Sequence, residues 1–103
     1  MYQLYQCTTP THTFKLPIEL TSKAKIRLTY KQDDKIVITK KTEDFVLDGE
    51  IISCKLSQDE TLSLDHNKKV KIQLHVLTEE GTALISPPWY KKVGECLAGE
   101  VIA

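Results

Sequence analysis

Apolar and polar residues alternate along much of this chain with a period of two. Between residues 24 and 31 every even position is apolar and every odd position is polar, and residues 70–76 repeat the pattern. Such alternation places one face of a strand on a hydrophobic core and the other face in water, as antiparallel sheets allow. The pattern therefore predicts two amphipathic β-strands in these regions.

Shorter runs of the same kind predict further strands, at residues 13–16, 35–39, 45–47, 51–56, 83–85 and 89–93. Asp33-Asp34, Asp48-Gly49 and Glu80-Gly81 lie between successive runs and favour tight hairpins, whereas Pro87-Pro88 interrupts pairing. About six to eight short strands at this spacing are typical of a β-sandwich. We expect an all-β fold, an immunoglobulin-like antiparallel β-sandwich with one short helical turn.

The helical turn is predicted by a capping box. Ser57 and Glu60 have the S-x-x-E spacing in which each side chain accepts a hydrogen bond from the other residue's backbone amide. Asp59 and Glu60 also suit the positive end of the helix dipole. Leu62 and Leu64 follow, so the turn is expected to pack on the sandwich edge and carry the chain across its end.

Length and composition predict the number of domains and the compartment in which the protein is made. The 103 residues predict a single domain, residues 1–103, in which residues 1–9 form an N-terminal arm outside the main strands. The first residues lack the basic and apolar regions of a secretory signal, and no apolar run is long enough to span a bilayer. Cys7, Cys54 and Cys96 are far apart and odd in number, which argues against a disulfide framework and favours synthesis in a reducing compartment.

A larger pattern resembles a known family. The motif L-S-Q-D-E-T-L at residues 56–62 precedes V-K-I-Q-L at residues 70–74, then Gly81 and Ser86, while residues 10–14 and 26–30 fit the same order. This order resembles small tail- or baseplate-associated proteins of phages and prophages from Gram-positive bacteria, and the N-terminal β-domain of phage baseplate upper proteins. The resemblance implies a non-enzymatic structural or assembly role in a virion or in the bacterial host cytoplasm. It also implies docking to other tail or baseplate proteins and to copies of the chain itself.

The residues that could carry chemistry favour structural roles. Cys54 shares a strand face with Ile52 and Leu56, so it is expected to be a small buried hydrophobe. A nucleophilic pair of Cys54 or Cys96 with His12 or His75 has no flanking catalytic signature.

A zinc site would need His12, His66 and His75 to converge with a cysteine, without any C-x-x-C or H-x-x-H pair. We therefore expect no catalytic residue, no metal and no cofactor.

Cations cluster on two successive predicted strands, at Lys25, Arg27, Lys31, Lys35, Lys40 and Lys41. Such a stripe can bind nucleic acid, because clustered cations release counterions from a phosphate backbone. Four acidic residues follow directly downstream, Glu43, Asp44, Asp48 and Glu50, and are expected to pair with the cations across the sheet. Fourteen basic and fourteen acidic residues give zero net charge, which favours a solvated face and neither a nucleic-acid nor a membrane partner.

The aromatic residues supply the candidate contacts. Trp89 is expected in the core, as in immunoglobulin domains, which places Tyr90 on the opposite, outer face. Tyr2, Leu4 and Tyr5 in the N-terminal arm either pack back on the sandwich or dock on a neighbouring subunit. The candidate partner contacts are therefore Tyr2, Leu4, Tyr5 and Tyr90. The alternative function is a carbohydrate-binding module that recognises a host cell surface through Trp89 or Tyr90.

Overall fold

The structure, a computed structural model, describes residues 4–102. These residues form nine strands, one α-helix (α1) and one 3₁₀ turn. In chain order the elements are β1 (Leu4–Tyr5), β2 (Thr11–Lys15), β3 (Lys25–Gln32), β4 (Lys35–Lys41), the 3₁₀ turn (Thr42–Asp44), β5 (Phe45–Asp48), β6 (Ile51–Lys55), α1 (Gln58–Leu62), β7 (Lys69–Leu77), β8 (Ala83–Ile85) and β9 (Trp89–Gly94).

The strands form two sheets with immunoglobulin-like order. The six-stranded sheet runs β1-β9-β7-β3-β4, with β8 also paired to β7, and the three-stranded sheet runs β2-β6-β5. In immunoglobulin terms β3, β7 and β9 are strands C, F and G, β4 is C′, and β2, β6 and β5 are B, E and D. The predicted all-β, immunoglobulin-like sandwich is therefore confirmed.

The core lies between the inner faces of the two sheets. In β3 the alternation buries Ile26, Leu28 and Tyr30, each at most 3% exposed, and leaves the intervening positions outside. Strand β7 buries every second residue in the same way and pairs with β3 over seven residues. Each buried apolar side chain of this size contributes roughly 1.5–3 kcal/mol to stability. The two long strands therefore supply much of the stabilisation of the core.

The hairpins form where the sequence predicts them. Asp33 and Asp34 both have positive φ angles, 50° and 63°, which is the backbone of a two-residue type I′ turn between β3 and β4. Gly49, with φ of 64°, closes the β5–β6 hairpin. Both turns fit the right-handed twist of the strands that they join.

The capping box is also confirmed. The Glu60 amide donates to Ser57 Oγ at 3.1 Å, and the Ser57 amide donates to Glu60 Oε1 at 2.8 Å. Helix α1 then leads from β6 in the small sheet to β7 in the large one. Thr61, fully buried on this helix, accepts from the Thr8 amide at 3.0 Å and donates to the Thr8 carbonyl at 2.9 Å, which fixes the segment between β1 and β2.

One strand outside the predicted set, β1, raises the strand number to nine. Strand β1 has only two residues and pairs in parallel with β9, a contact between sequence-distant segments that local alternation does not reveal. Strands β8 and β9 lie end to end along β7, since Pro87-Pro88 interrupts one edge strand. At the break, Ser86 keeps the contact, because its amide donates to the Leu74 carbonyl at 2.9 Å and its Oγ accepts from the Leu74 amide at 3.0 Å.

Candidate functional site

Cys54 and His12 lie directly opposite each other on β6 and β2. The His12 ring stacks against Tyr30, and its Nδ1 shares a hydrogen bond with the Tyr30 hydroxyl. Burial lowers the pKa of His12 and raises that of Tyr30, so the imidazole is neutral and the phenol keeps its proton. Burial also raises the pKa of Cys54 to about 11. Cys54 is therefore a protonated thiol in the core, 2% exposed, as its position on the strand predicts.

An apolar groove of about 660 Å³ opens along one side of the sandwich. It lies between β2 of the small sheet and β8–β9 of the large sheet, and its walls include Phe14, Leu74, Val76, Leu84 and Trp89. The rings of Phe14 and Trp89 are 5.2 Å apart between centroids. We call this feature the lateral groove.

Trp89 is not a core residue, contrary to the prediction. Its side chain is 41% exposed in the lateral groove. The reason is that β2 is the edge of its sheet, and among residues 4–102 no strand lies beyond it to close the gap. A tryptophan that would be covered in a closed sandwich is therefore half open to solvent.

The open edge of β2 runs along this groove. The Leu16 amide donates to the Glu50 carbonyl, and the Leu56 amide donates to the Pro10 carbonyl, so the even-numbered residues of this segment bond to β6. Antiparallel alternation then points the backbone N–H and C=O groups of Thr11, Thr13 and Lys15 away from β6. This row of donors and acceptors is a ready template for another strand.

The outer face of the large sheet has one sign of charge. The registers of β3, β4, β7 and β9 place seven cations on it: Lys25, Arg27, Lys31, Lys41, Lys69, Lys71 and Lys92. None of the six strands contains an aspartate or glutamate. We call this surface the cationic face.

The acids that were expected to neutralise these cations lie elsewhere. Glu43 and Asp44 are in the 3₁₀ turn, and Asp48 and Glu50 are at the β5–β6 hairpin of the small sheet. The chain changes sheets directly after β4, so the downstream acids enter the other layer. The ion pairs that the structure shows within residues 4–102 do not involve six of these cations, namely Lys25, Arg27, Lys31, Lys41, Lys69 and Lys71. The predicted pairing across the sheet is therefore wrong.

Lys40 also departs from the predicted stripe. A β-bulge between Tyr30 and Lys31 shifts the β3–β4 register, and Lys40 points inward with 8% exposure. Its Nζ lies 2.7 Å from Glu60 Oε1 on α1. Lys40 is thus a structural cation that ties β4 to the helix.

The candidate partner contacts fall in different places. Tyr2 lies outside the described residues. Leu4 is 3% exposed, because it pairs with Val93 and enters the core, so its assignment as a partner contact is wrong. Tyr5, 49% exposed, covers Gly94, where an added Cβ would meet its ring at 2.5 Å. Tyr90 is 53% exposed on the cationic face, with Lys71 Nζ 5.7 Å from its ring centroid.

Cys7 and Cys96 form a thiol pair at one end of the sandwich. The Cys7 thiol can donate to the Glu100 carbonyl, 3.4 Å away, or to Cys96, one acceptor at a time. Its hydrogen bond to Cys96 raises the pKa of Cys7 to about 11 and lowers that of Cys96, which backbone amides of residues 98–100 lower further. Both side chains are partly exposed, unlike Cys54.

We expect Cys96 to be the reactive cysteine, since the thiolate is the nucleophile. Iodoacetamide at pH 7.5 should modify Cys96 at least about tenfold faster than Cys7 and leave Cys54 intact in the folded protein. Peptide mass spectrometry over a time course measures the three rates. In Cys96→Ser, Cys7 should react faster than in the wild type. Modification of Cys7 before Cys96 would contradict the arrangement.

The remaining candidate sites do not assemble. His66 lies 3.8 Å from Glu95 and His75 is on the outer face, while His12 faces inward. Over residues 4–102, no three histidine, cysteine or acidic side chains are grouped as metal ligands. No helix in that range has the length and apolar character needed to cross a membrane.

Comparisons of the chain with protein-family models, with curated proteins and with solved structures found no match. The resemblance to phage tail and baseplate proteins therefore stays a prediction.

Proposed function

We propose that the chain is a non-enzymatic docking module of a phage or prophage tail or baseplate, and that it binds an extended segment of a partner protein along β2. The observation that carries this proposal is the open edge of β2 above the lateral groove. A strand added there gains main-chain hydrogen bonds, while alternate side chains enter the groove. The partner's identity within the particle comes from the resemblance alone.

The groove also defines the chemistry of the partner segment. Its floor is apolar, so alternate residues of the added strand should be apolar. Lys15 and Lys91 are among the lining residues, which include no carboxylate. An extended segment that also carries acidic residues within reach of these two lysines therefore fits best.

Thr13→Pro is the variant that tests the open edge. Proline lacks the outward N–H that an added strand would use, and proline is tolerated at sheet edges. We expect Thr13→Pro to lose partner binding without disturbing the β2–β6 ladder. Thr13→Val, which keeps the N–H, is the matched control and should bind normally.

The measurement is quantitative mass spectrometry of purified particles and particle-free lysate after prophage induction, with each variant in place of the wild type. Wild type and Thr13→Val should be recovered stoichiometrically in particles, and Thr13→Pro only in the lysate. Absence of the wild type from particles would contradict the tail role. Equal recovery of Thr13→Pro would contradict docking along β2.

Carbohydrate binding is the second candidate, favoured by the 41% exposure of Trp89 beside Phe14. Aromatic side chains in an open groove can stack on sugar rings. Because the chain has one tryptophan, its fluorescence reports directly on this position. Fluorescence that does not change on titration with bacterial cell-wall saccharides would remove this candidate.

A further inference from the structure

The cationic face concentrates charge in a protein whose overall charge is zero. Half of the fourteen basic residues point outward from one sheet, and the fourteen acidic residues lie in turns, loops, α1 and the small sheet. Such segregation produces a local positive potential that net charge does not reveal. The zero net charge is therefore no argument against an anionic ligand at this face.

Several cations are directly opposed across neighbouring strands. Lys31 lies directly opposite Lys71 in the pairing of β3 with β7. Arg27 lies between Lys41 and His75. Like charges in directly opposite positions destabilise a sheet. A solvated surface selected for stability alone would alternate charge signs, so this arrangement indicates a ligand that neutralises it.

Aromatic rings lie within the same surface. Tyr90 is opposite Lys71 on β9, and the Lys71 ammonium lies over its ring. Tyr5 covers Gly94 at the same edge of the sheet. Cations that follow a phosphate backbone, together with exposed rings on which bases stack, are the features of single-strand binding surfaces.

We propose that the cationic face binds single-stranded nucleic acid. Phosphates would contact Arg27 and Lys31 on β3 and Lys71 on β7, and a base would stack on Tyr90. The side chains lie on an open sheet rather than in a cleft, which suits unstacked bases. The cationic face is the solvent-facing side of the large sheet, whereas the lateral groove lies on the core-facing side. The proposal therefore does not depend on the function proposed for the lateral groove.

Fluorescence anisotropy with a labelled twelve-nucleotide oligo(dT) tests the proposal in the full chain. Binding at 50 mM salt should weaken with salt, with a slope of log K against log[salt] of about −3 for four or five neutralised phosphates. Tyr90→Ala should weaken binding about fivefold or more, by loss of stacking, with the salt slope unchanged. A matched twelve-base-pair duplex should bind less tightly than the single strand.

Lys31→Glu is the decisive variant. It should weaken oligonucleotide binding about tenfold or more, because it removes one phosphate contact and adds repulsion. It should also raise the melting temperature, because Lys71 then faces an opposite charge. The control is Lys55→Glu, which makes the same charge change on the exposed face of β6 and should change binding less than about twofold.

Four results would overturn the proposal. These are no binding of the oligonucleotide at 50 mM salt, equal weakening by Lys55→Glu and Lys31→Glu, equal or tighter binding of the duplex, and equal or tighter binding of poly-glutamate. The last result would assign the face to an acidic protein. A lower melting temperature for Lys31→Glu would contradict the argument from opposed charges.

Discussion

Replacing Glu60 by alanine is expected to lower the free energy of unfolding by about 3 kcal/mol. Glu60 has two roles, since its Oε1 lies 2.7 Å from the buried Lys40 ammonium and accepts the Ser57 amide at 2.8 Å. Its removal leaves an inward-pointing cation without its carboxylate and eliminates one of the two hydrogen bonds of the capping box. The effect lies at the lower end for buried ion pairs, because the Glu60 side chain is 29% exposed.

Urea denaturation with matched variants separates the two roles. Glu60→Gln keeps an oxygen for the Ser57 amide but loses the charge, so most of the loss should persist. The double variant Lys40→Met, Glu60→Gln removes the buried charge and should regain stability relative to Glu60→Gln. Glu43→Ala, an exposed glutamate in the 3₁₀ turn, should change stability by less than about 0.5 kcal/mol. Equal losses in Glu43→Ala and Glu60→Ala would contradict the buried pair.

The parts of the fold that depend on local patterns were predictable. Alternation identifies β3 and β7 because each has one buried and one solvated face over many residues. The capping box identifies α1 because both of its hydrogen bonds join residues three positions apart. In each case the residues that determine the element are contained within it.

The errors come from contacts between distant segments. Leu4 is buried because β1 reaches β9 at the other end of the chain. Lys40 points inward because a bulge shifts one register. Trp89 is exposed because no described strand lies beyond β2. None of these three conditions leaves a mark in the sequence around the affected residue.

Only part of the cationic face could be predicted from the sequence. The absence of aspartate and glutamate from the segments that form β3, β4, β7 and β9 is visible in the sequence. That these strands share one sheet, while the acids after Lys41 enter the other, requires the topology. Counting the acidic residues over all predicted strands together would have indicated the segregation of charge.

Leu28→Ala is expected to destabilise the protein by about 3–5 kcal/mol. Leu28 is 0% exposed at the centre of β3, opposite Leu74 on β7 and Lys40 on β4. Truncation removes apolar contacts and leaves a cavity between sheets that cannot close, since β3 is paired on both sides. The matched control is Leu97→Ala, because Leu97 is 91% exposed and should cost less than about 0.5 kcal/mol.

Leu28→Ala also distinguishes an effect on stability from an effect on ligand binding. Neighbouring Arg27 and Thr29 point outward on the cationic face, so the variant changes no group that would contact a ligand there. Denaturant melts should therefore show a large stability loss, while the oligonucleotide affinity of the folded protein changes less than about twofold. Lys31→Glu should give the reverse, weak binding with undiminished stability. If both variants lost stability and affinity in parallel, the loss of affinity would follow from unfolding. The cationic face would then not be a binding surface.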